Sequence, residues 1–137
     1  MKKTPEKPSV LMKQGDIFRK IGKFKKAGEC YEKVKELDPY SYKILERLAN
    51  LYHNNLKDHK KALYYIKKIY EKDKDDPIAI FHLASAYNEN NRFDEAIHYF
   101  ENLLGLCGED TELLHDLGLV YMNKKDYHNA ITYFKEV

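Results

Sequence analysis

Cysteine and histidine are the side chains of this sequence best suited to bind a metal ion or to act as nucleophile and base. The two cysteines, Cys30 and Cys107, lie far apart and form no Cys-x-x-Cys motif, so we expect reduced packing residues rather than ligands or a disulfide framework. The chain also lacks a glycine-rich phosphate loop and a nucleophile next to a base, so we predict no enzyme and no cofactor. The histidines show no metal-ligand spacing and are expected at the surface; they are His53, His59, His82, His98, His115 and His128.

The charge of the chain is small overall but unevenly distributed. The formal net charge is +2, yet residues 1–35 hold eleven Lys or Arg against four Asp or Glu, whereas residues 77–137 hold four against ten. A basic head and an acidic tail attract oppositely charged partners at each end, or copies of the same chain head to tail. The alternative is that these are ordinary solvated helix faces. The balanced total disfavours nucleic-acid binding.

Composition predicts a helical protein without a membrane span. Charged residues make up 34% of the chain and glycine and proline are few, which suits amphipathic helices and excludes collagen-like and disordered classes. The sequence contains no apolar run of the length that crosses a bilayer. The N-terminus, MKKTPEKPSV, has no apolar segment after its lysines, so a cytoplasmic location is expected unless a targeting segment has been removed.

One pattern recurs about every thirty-four residues: a small residue, an aromatic three positions later, then an alanine and, four positions after it, a large residue. A fixed period of this length is typical of a stack of helix pairs. We therefore predict an all-α fold, a right-handed α-solenoid of helix-turn-helix repeats. The four copies are Gly15-Phe18-Ala27-Tyr31, Ala49-Tyr52-Ala62-Ile66, Ala84-Tyr87-Ala96-Phe100 and Gly118-Tyr121-Ala130-Phe134.

The period divides the chain into a flexible leader, residues 1–7, and repeats at 8–41, 42–76, 77–110 and 111–137. In the second repeat the aromatic and the alanine are one residue further apart than elsewhere, which predicts a bulged turn over residues 54–58. Ser41 and Asp58 are expected to cap the two helices of that repeat. The fourth repeat is truncated in its second helix, so we expect the array to continue beyond Val137.

The recurring residue types also predict how each helix pair packs. Two antiparallel helices approach closely only where side chains are small, so Gly15 and Gly118 on first helices are expected to face Ala27 and Ala130 on second helices. The large residue at the end of the pattern, such as Tyr31, then fills the gap to the next repeat. No single pair buries its apolar face alone, so the stack makes one continuous core.

This pattern resembles the tetratricopeptide repeat family, in which small, aromatic and alanine positions and a late proline recur every thirty-four residues. The late proline is present only as Pro39, and leucine or isoleucine replaces the family's tryptophan. Pentatricopeptide RNA binders share the period but not the small-residue and alanine pattern. The resemblance implies a protein-interaction module whose first helices line a concave groove. The family's two-carboxylate clamp for chaperone tails corresponds here to Met12, Asp16, Arg47, Ile78 and His82, of which only Arg47 and His82 retain donors, so that ligand is not expected.

Candidate binding residues follow from the groove that the resemblance implies. Lys13, Arg47 and His82 occupy the same position in the first helices of repeats 1 to 3, and Asp116 occupies it in repeat 4; we call these four positions a row. The three donors in line could hold a carboxylate or an acidic segment. Asparagines could pair with the backbone of an extended peptide, and apolar residues could receive its side chains. The predicted groove residues are Lys13, Asp16, Lys43, Arg47, Asn50, Asn54, Ile78, Phe81, His82, Ser85, Asn88, Leu119 and Met122.

The sequence is compatible with two functions. The first is a non-catalytic module that binds a peptide or protein segment, acidic in part, in the groove. The second is a self-assembling scaffold that oligomerises through its repeat ends and complementary charge. Neither a nucleic-acid partner nor a membrane span is expected.

Overall fold

The computed structural model describes residues 7–137, so the predicted leader lies outside the described residues except for Lys7. The described residues form eight α-helices and contain no β-strand. The third helix continues directly into a π-helical turn, Leu51–Asn55. The helices are α1 (Pro8–Lys20), α2 (Phe24–Leu37), α3 (Tyr42–Asn50), α4 (His59–Lys72), α5 (Pro77–Glu89), α6 (Phe93–Cys107), α7 (Thr111–Asn123) and α8 (Tyr127–Lys135).

The chain divides into two compact units within α4. Unit 1 ends at Tyr65 and unit 2 begins at Ile66. In unit 1, α1 packs against α2 and α2 against α3. In unit 2, α5 packs against α6, α6 against α7, and α7 against α8. Helices adjacent in sequence are therefore neighbours in space within each unit, as the period predicts.

Two residues after the end of each first helix, counting the π turn as part of α3, a residue with positive φ turns the chain into the second helix. The amide of the following residue then donates to the carbonyl of the repeat's aromatic, as from Lys23 to Phe18 at 2.8 Å. In the second repeat this bond runs from Asp58 to Tyr52, one residue further along the chain, at 2.9 Å. The turn there is thus longer by one residue, as predicted. The left-handed residues are Gly22, Lys57, Asn91 and Lys125.

The extra residue also changes the helix that precedes the turn. The amide of Leu56 donates to the carbonyl of Leu51, five residues back, at 2.9 Å, so the added residue is taken up by a π turn. The carboxylate of Asp58 accepts from the amide of Lys61 at 3.2 Å, which confirms it as a cap of α4. Ser41 occupies the N-cap position of α3, as predicted, but its hydroxyl makes no capping hydrogen bond.

The core contains the four repeat alanines, as predicted, but the glycines pack differently. Ala27 and Ala96 are fully buried, and a Cβ atom added to Gly15 would lie 2.5 Å from Cε1 of Tyr31. A Cβ atom added to Gly118 would lie 2.5 Å from Cε1 of Phe134. The nearest neighbour of each of these glycines is therefore the ring of its own second helix, where an alanine was expected.

Stacked tyrosine pairs join the two helices of repeats 2, 3 and 4. The rings are nearly parallel, with centroids 5.4 to 5.8 Å apart, and a pair of this kind contributes roughly 0.5–1.5 kcal/mol beyond the area it buries. Only the first member of each pair belongs to the recurring sequence pattern. The second members lie one residue before the large residue of the pattern, and the first repeat has Cys30 there. The pairs are Tyr52–Tyr65, Tyr87–Tyr99 and Tyr121–Tyr133.

Candidate interaction surfaces

The predicted groove residues fall into two sets, one on the first helices of each unit. We refer to the set on α1 and α3, with its π turn, as the unit 1 surface, and to the set on α5 and α7 as the unit 2 surface. The unit 1 surface comprises Lys13, Asp16, Lys43, Arg47, Asn50 and Asn54, and the unit 2 surface comprises Ile78, Phe81, His82, Ser85, Asn88, Leu119 and Met122.

Arg47 and Asp16 form an ion pair in the middle of the unit 1 surface. Arg47 donates from Nε to Oδ1 of Asp16 at 2.9 Å and from Nη2 to Oδ2 at 3.3 Å, a two-point geometry that only guanidinium provides. The hydroxyl of Tyr31 also donates to Asp16. Burial alone would raise the pKa of Asp16, but the hydrogen bonds from Arg47 and Tyr31 outweigh it and lower that pKa. The pKa of Arg47 is raised, first of all by its bond to Asp16.

This pair interrupts the predicted row of cations. Arg47 is neutralised by Asp16 of the preceding repeat, whereas Lys13 and Lys43 are exposed. The sequence contained the necessary signal, since Asp16 and Arg47 occupy neighbouring rows of adjacent repeats. The ion pair was not predicted because each set of equivalent positions was considered separately. The remaining positive charge of the unit 1 surface therefore comes from the two lysines.

The π turn shifts the polar residue at the far end of the unit 1 surface. Nε of Arg19 donates to Oδ1 of Asn55 at 2.9 Å, while Asn54, which was predicted to line the groove, is exposed. Because the turn adds one residue, Asn55 rather than Asn54 contacts the preceding first helix. Asn50 is also exposed.

A half-buried polar cluster centred on Glu32 of α2 links that helix to the next repeat. One carboxylate oxygen of Glu32 accepts from Tyr65 at 2.7 Å and from Tyr52 at 3.1 Å, and Lys35 pairs with its other oxygen at 2.9 Å. Burial and the bond to Glu32 raise the pKa of Tyr65 to about 12. The carboxylate of α2 thereby holds both members of the next repeat's tyrosine stack.

The same arrangement recurs in unit 2. Oε1 of Glu101 on α6 accepts from Tyr121 at 3.3 Å and from Tyr133 at 3.4 Å. Burial first, then the neighbouring charge of Glu101, raises the pKa of Tyr121 to about 12. Sequence reasoning missed both glutamates, although each directly follows the large residue of its repeat. Lys67 stands at that position in the second repeat, and Tyr70 there contacts Tyr99 edge to face, with centroids 5.6 Å apart.

The unit 2 surface lies on two parallel helices that meet near both ends. Phe81 on α5 lines a cavity of about 110 Å³ together with Glu112 and Leu113 at the start of α7. At the other end, Nδ2 of Asn123 donates to Oδ1 of Asn88 at 3.2 Å. The helices therefore run side by side in the same direction, and the residues between these contacts form one continuous surface.

Large apolar side chains on the unit 2 surface remain in contact with solvent. Ile78 is 67% exposed and Met122 is 43% exposed, while Leu119 and Ser85 are half-buried and His82 is exposed. Phe81 is half-buried because its ring packs edge to face on Phe100 of α6, with centroids 5.8 Å apart. The surface thus combines apolar and hydrogen-bonding groups.

Asp116 occupies the middle of α7, in the row that Arg47 occupies in unit 1. Its Oδ2 atom is buried and accepts no hydrogen bond from residues 7–137. Burial raises the pKa of Asp116, and the charges of Glu112 and Asp110 raise it further, while His115 acts in the opposite direction. The predicted row of Lys13, Arg47, His82 and Asp116 therefore ends in a carboxylate. No cation of residues 7–137 pairs with it.

Sequence comparison assigns the repeats to a known family. One model of the tetratricopeptide repeat matches residues 8–41 and 111–137, and a second matches residues 56–106. The chain belongs to the tetratricopeptide repeat family. The tetratricopeptide repeat is a protein-interaction module, so the general class of function predicted from the sequence is confirmed.

Two curated relatives contain sequences similar to these tetratricopeptide repeats. The chain is 26% identical over 118 residues to the TPR repeat-containing protein YpiA of Bacillus subtilis (strain 168), covering 86% of this chain and 28% of that protein. It is 27% identical over 126 residues to the Protein CTR9 homolog of Arabidopsis thaliana, covering 89% of this chain and 12% of that protein. The chain thus spans less than a third of either relative.

Solved structures show the same tetratricopeptide fold. MamA from Desulfovibrio magneticus RS-1 aligns with a TM-score of 0.77 at 22% identity, covering 95% of this chain and 73% of that one. Another MamA crystal structure aligns with a TM-score of 0.76 at 26% identity, covering 93% and 69%. The predicted all-α fold of helix-turn-helix repeats, of the α-solenoid class, is confirmed. Among residues 7–137 no helix has the length and apolar character required to span a membrane.

Proposed function

We propose that this tetratricopeptide repeat chain is a non-catalytic binding module that holds a peptide or protein segment along its first-helix surfaces. The supporting observation is the exposure of two large apolar side chains, Ile78 at the start of α5 and Met122 at the end of α7 next to the Asn88–Asn123 hydrogen bond. Exposed large apolar side chains next to fixed hydrogen-bonding groups are typical of surfaces that bind a partner. The apolar groups would supply affinity, and the amides would pair with the backbone of the segment.

The unit 1 surface would bind an acidic segment. Lys13 and Lys43 are exposed, and residues 1–65 carry sixteen Lys or Arg against eight Asp or Glu. Arg47 keeps Asp16 neutralised, so the lysines are not opposed by that carboxylate. Surface charge of this kind raises the association rate and selects the partner more than it adds affinity.

Selection from a random displayed-peptide library tests this function with the purified chain. Replacing Ile78 and Met122 by serine is expected to weaken the selected peptides at least tenfold, because the apolar contacts are lost. The matched control is Ile131→Ser, since Ile131 is 53% exposed but lies on a second helix. Failure to select any peptide, or equal weakening by the control, would argue against the first-helix surfaces.

Self-assembly is the second candidate function, and exposure at the repeat ends favours it. Ile17 on α1 is 59% exposed, whereas Leu51 and Val120 at equivalent positions are at most 1% exposed. On α8, Ile131 is 53% exposed, whereas the equivalent Ile97 is 8% exposed. A second copy of the chain could cover both faces, with the basic and acidic ends attracting each other.

Sedimentation velocity over a range of protein and salt concentrations separates the two candidates. Assembly through the ends predicts a mass that rises with protein concentration, falls with salt, and is lost in an Ile17→Ser, Ile131→Ser variant. A monomer at low salt and high protein concentration would exclude assembly and leave peptide binding unaffected.

A further inference from the structure

The unit 2 surface differs from the unit 1 surface at the two positions that form the ion pair of unit 1. Asp16 and Arg47 neutralise each other in unit 1, at 2.9 Å. In unit 2, Ser85 occupies the position of Asp16 and Asp116 occupies the position of Arg47, so a carboxylate stands where unit 1 has the guanidinium, and no arginine faces it from the other position. Because an unpaired buried carboxylate oxygen is costly, Oδ2 of Asp116 is a position at which a cation from outside would be stabilised.

Helix geometry places Asp116 between the cavity beside Phe81 and the Asn88–Asn123 hydrogen bond. The cavity beside Phe81 lies at the start of α7, near Glu112, and the Asn88–Asn123 bond lies at its end. Residues four apart share one face of a helix, so Asp116 lies one turn from Glu112 on the same face. A ligand that reaches Asp116 is therefore next to the cavity.

The cavity itself suits an apolar group. Phe81, Leu103, Leu113 and Cys107 form its walls, and its volume of about 110 Å³ is of the order that accommodates one small apolar group, since a cavity of roughly 150 Å³ binds benzene. Ile78, one turn before Phe81, extends the apolar surface outward. The acidic residues Asp110 and Glu112 complete the lining.

The charge of the whole unit agrees with this local picture. Residues 66–137 carry eight Lys or Arg against fourteen Asp or Glu. Two of those cations are already paired within the unit, Arg92 with Glu95 at 3.1 Å and Lys124 with Asp94 at 2.7 Å. An approaching acidic segment would be repelled here, whereas a basic one would be attracted.

We propose that the unit 2 surface binds a protein segment in which an arginine or lysine lies next to an aliphatic residue such as leucine. The cationic side chain pairs with Asp116, and the apolar side chain enters the cavity between Phe81 and Cys107. This inference rests on the proposed function and names the partner's chemistry for one of its two surfaces. It assigns opposite charge preferences to the two surfaces of the same chain.

Cysteine chemistry provides a direct assay of cavity occupancy in the unmodified site. Cys107 is exposed and lines the cavity, whereas Cys30 is half-buried in unit 1. Library peptides that carry an Arg-Leu or Lys-Leu pair are expected to slow alkylation of Cys107 by iodoacetamide at least tenfold at saturation, without slowing that of Cys30. The same peptides with Glu in place of the cation should give no protection.

Substitution of Asp116 tests the charge pairing separately. Asp116→Asn is expected to weaken the basic peptides about tenfold, the loss expected for one charged hydrogen bond, while Asp94→Asn, an equal charge change elsewhere in unit 2, leaves them unchanged. Asp116→Arg should reverse the preference toward acidic peptides. Thermal unfolding of each variant checks that it is folded.

The possible outcomes separate this inference from the function it rests on. Peptides that bind without enrichment of Arg or Lys, without protecting Cys107, or equally well to Asp116→Asn would overturn the inference and leave peptide binding intact. A library that yields no binder at all would overturn both.

Discussion

Adding a methyl group at Gly15 is predicted to destabilise unit 1, because the position has no room for it. A Cβ atom there would lie 2.5 Å from Cε1 and 2.8 Å from Cδ1 of Tyr31. Tyr31 is fully buried, and its hydroxyl donates to Asp16, so the ring cannot move aside without breaking that bond. The substitution therefore perturbs both the core and the ion pair of the unit 1 surface.

The expected change in the free energy of unfolding combines two destabilising effects and one stabilising effect. Overpacking of a closely packed core costs roughly 1–3 kcal/mol, and weakening the Tyr31–Asp16 bond adds about 1 kcal/mol. Alanine is favoured over glycine within a helix by about 0.8–1 kcal/mol. The net expectation for Gly15→Ala is a loss of roughly 1–3 kcal/mol in the free energy of unfolding.

Two other glycines supply matched controls. A Cβ atom added to Gly105 in α6 would have no neighbouring atom within 4 Å, so Gly105→Ala should stabilise the chain by up to about 1 kcal/mol through helix propensity alone. Gly118→Ala meets Phe134 at 2.5 Å, but that ring is half-buried at the end of α8 and can shift. Its loss should therefore be smaller than that of Gly15→Ala.

Urea unfolding followed by circular dichroism measures all three variants under one condition. The expected order of stability is Gly105→Ala, unmodified chain, Gly118→Ala and Gly15→Ala, from most to least stable. If Gly15→Ala were as stable as Gly105→Ala, the ring of Tyr31 would have free space. The close contact between α1 and α2 that positions the unit 1 surface would then be refuted.

Three further predictions concern charges and turns. The folded-state pKa of Tyr65, about 12, exceeds its ordinary value of 10.0, so the unfolded chain ionises first and stability should fall as the pH rises from 10 to 12; tyrosinate absorbance should show Glu32→Gln moving this pKa back toward 10. The pKa of Asp16 is lowered, so its contribution is present above the ordinary pKa of 3.8 and is lost as the pH falls through the folded value. Arg47→Met should remove that part of the acid dependence, as measured by urea midpoints from pH 6 to 2. Lys125→Gly should raise the melting temperature, because Lys125 has φ +70° and a left-handed non-glycine residue is strained by roughly 1–2 kcal/mol.

The helices and their order could be predicted from the sequence because every repeat supplies the same local signals. Apolar periodicity and turn residues are local properties, and each predicted repeat forms the expected pair of helices, as α1 and α2 do between residues 8 and 41. The longer turn of the second repeat was also visible, as a change of one residue in a spacing. Its uptake as a π turn was not, because hydrogen-bond register within a helix depends on how that helix packs.

The candidate surfaces were predicted by position but not by chemistry. Counting rows placed Arg47 and Asp16 on first helices, yet the ion pair between them joins two repeats and depends on how closely those helices approach. The role of Glu32 was hidden for the same reason, since its partners are tyrosines twenty and thirty-three residues away. Single-row patterns cannot show which side chains meet across a repeat boundary.

Methyl chemical shifts of the chain, recorded while a library-selected peptide is added, test the central claim most directly. If the first-helix surfaces bind the segment, the methyl signals of Ile78 and Met122 should shift in proportion to saturation, while those of Ile131 on α8 stay unchanged. Shifts confined to Ile131 and Ile17, with Ile78 and Met122 unaffected, would contradict the account and place binding at the repeat ends instead.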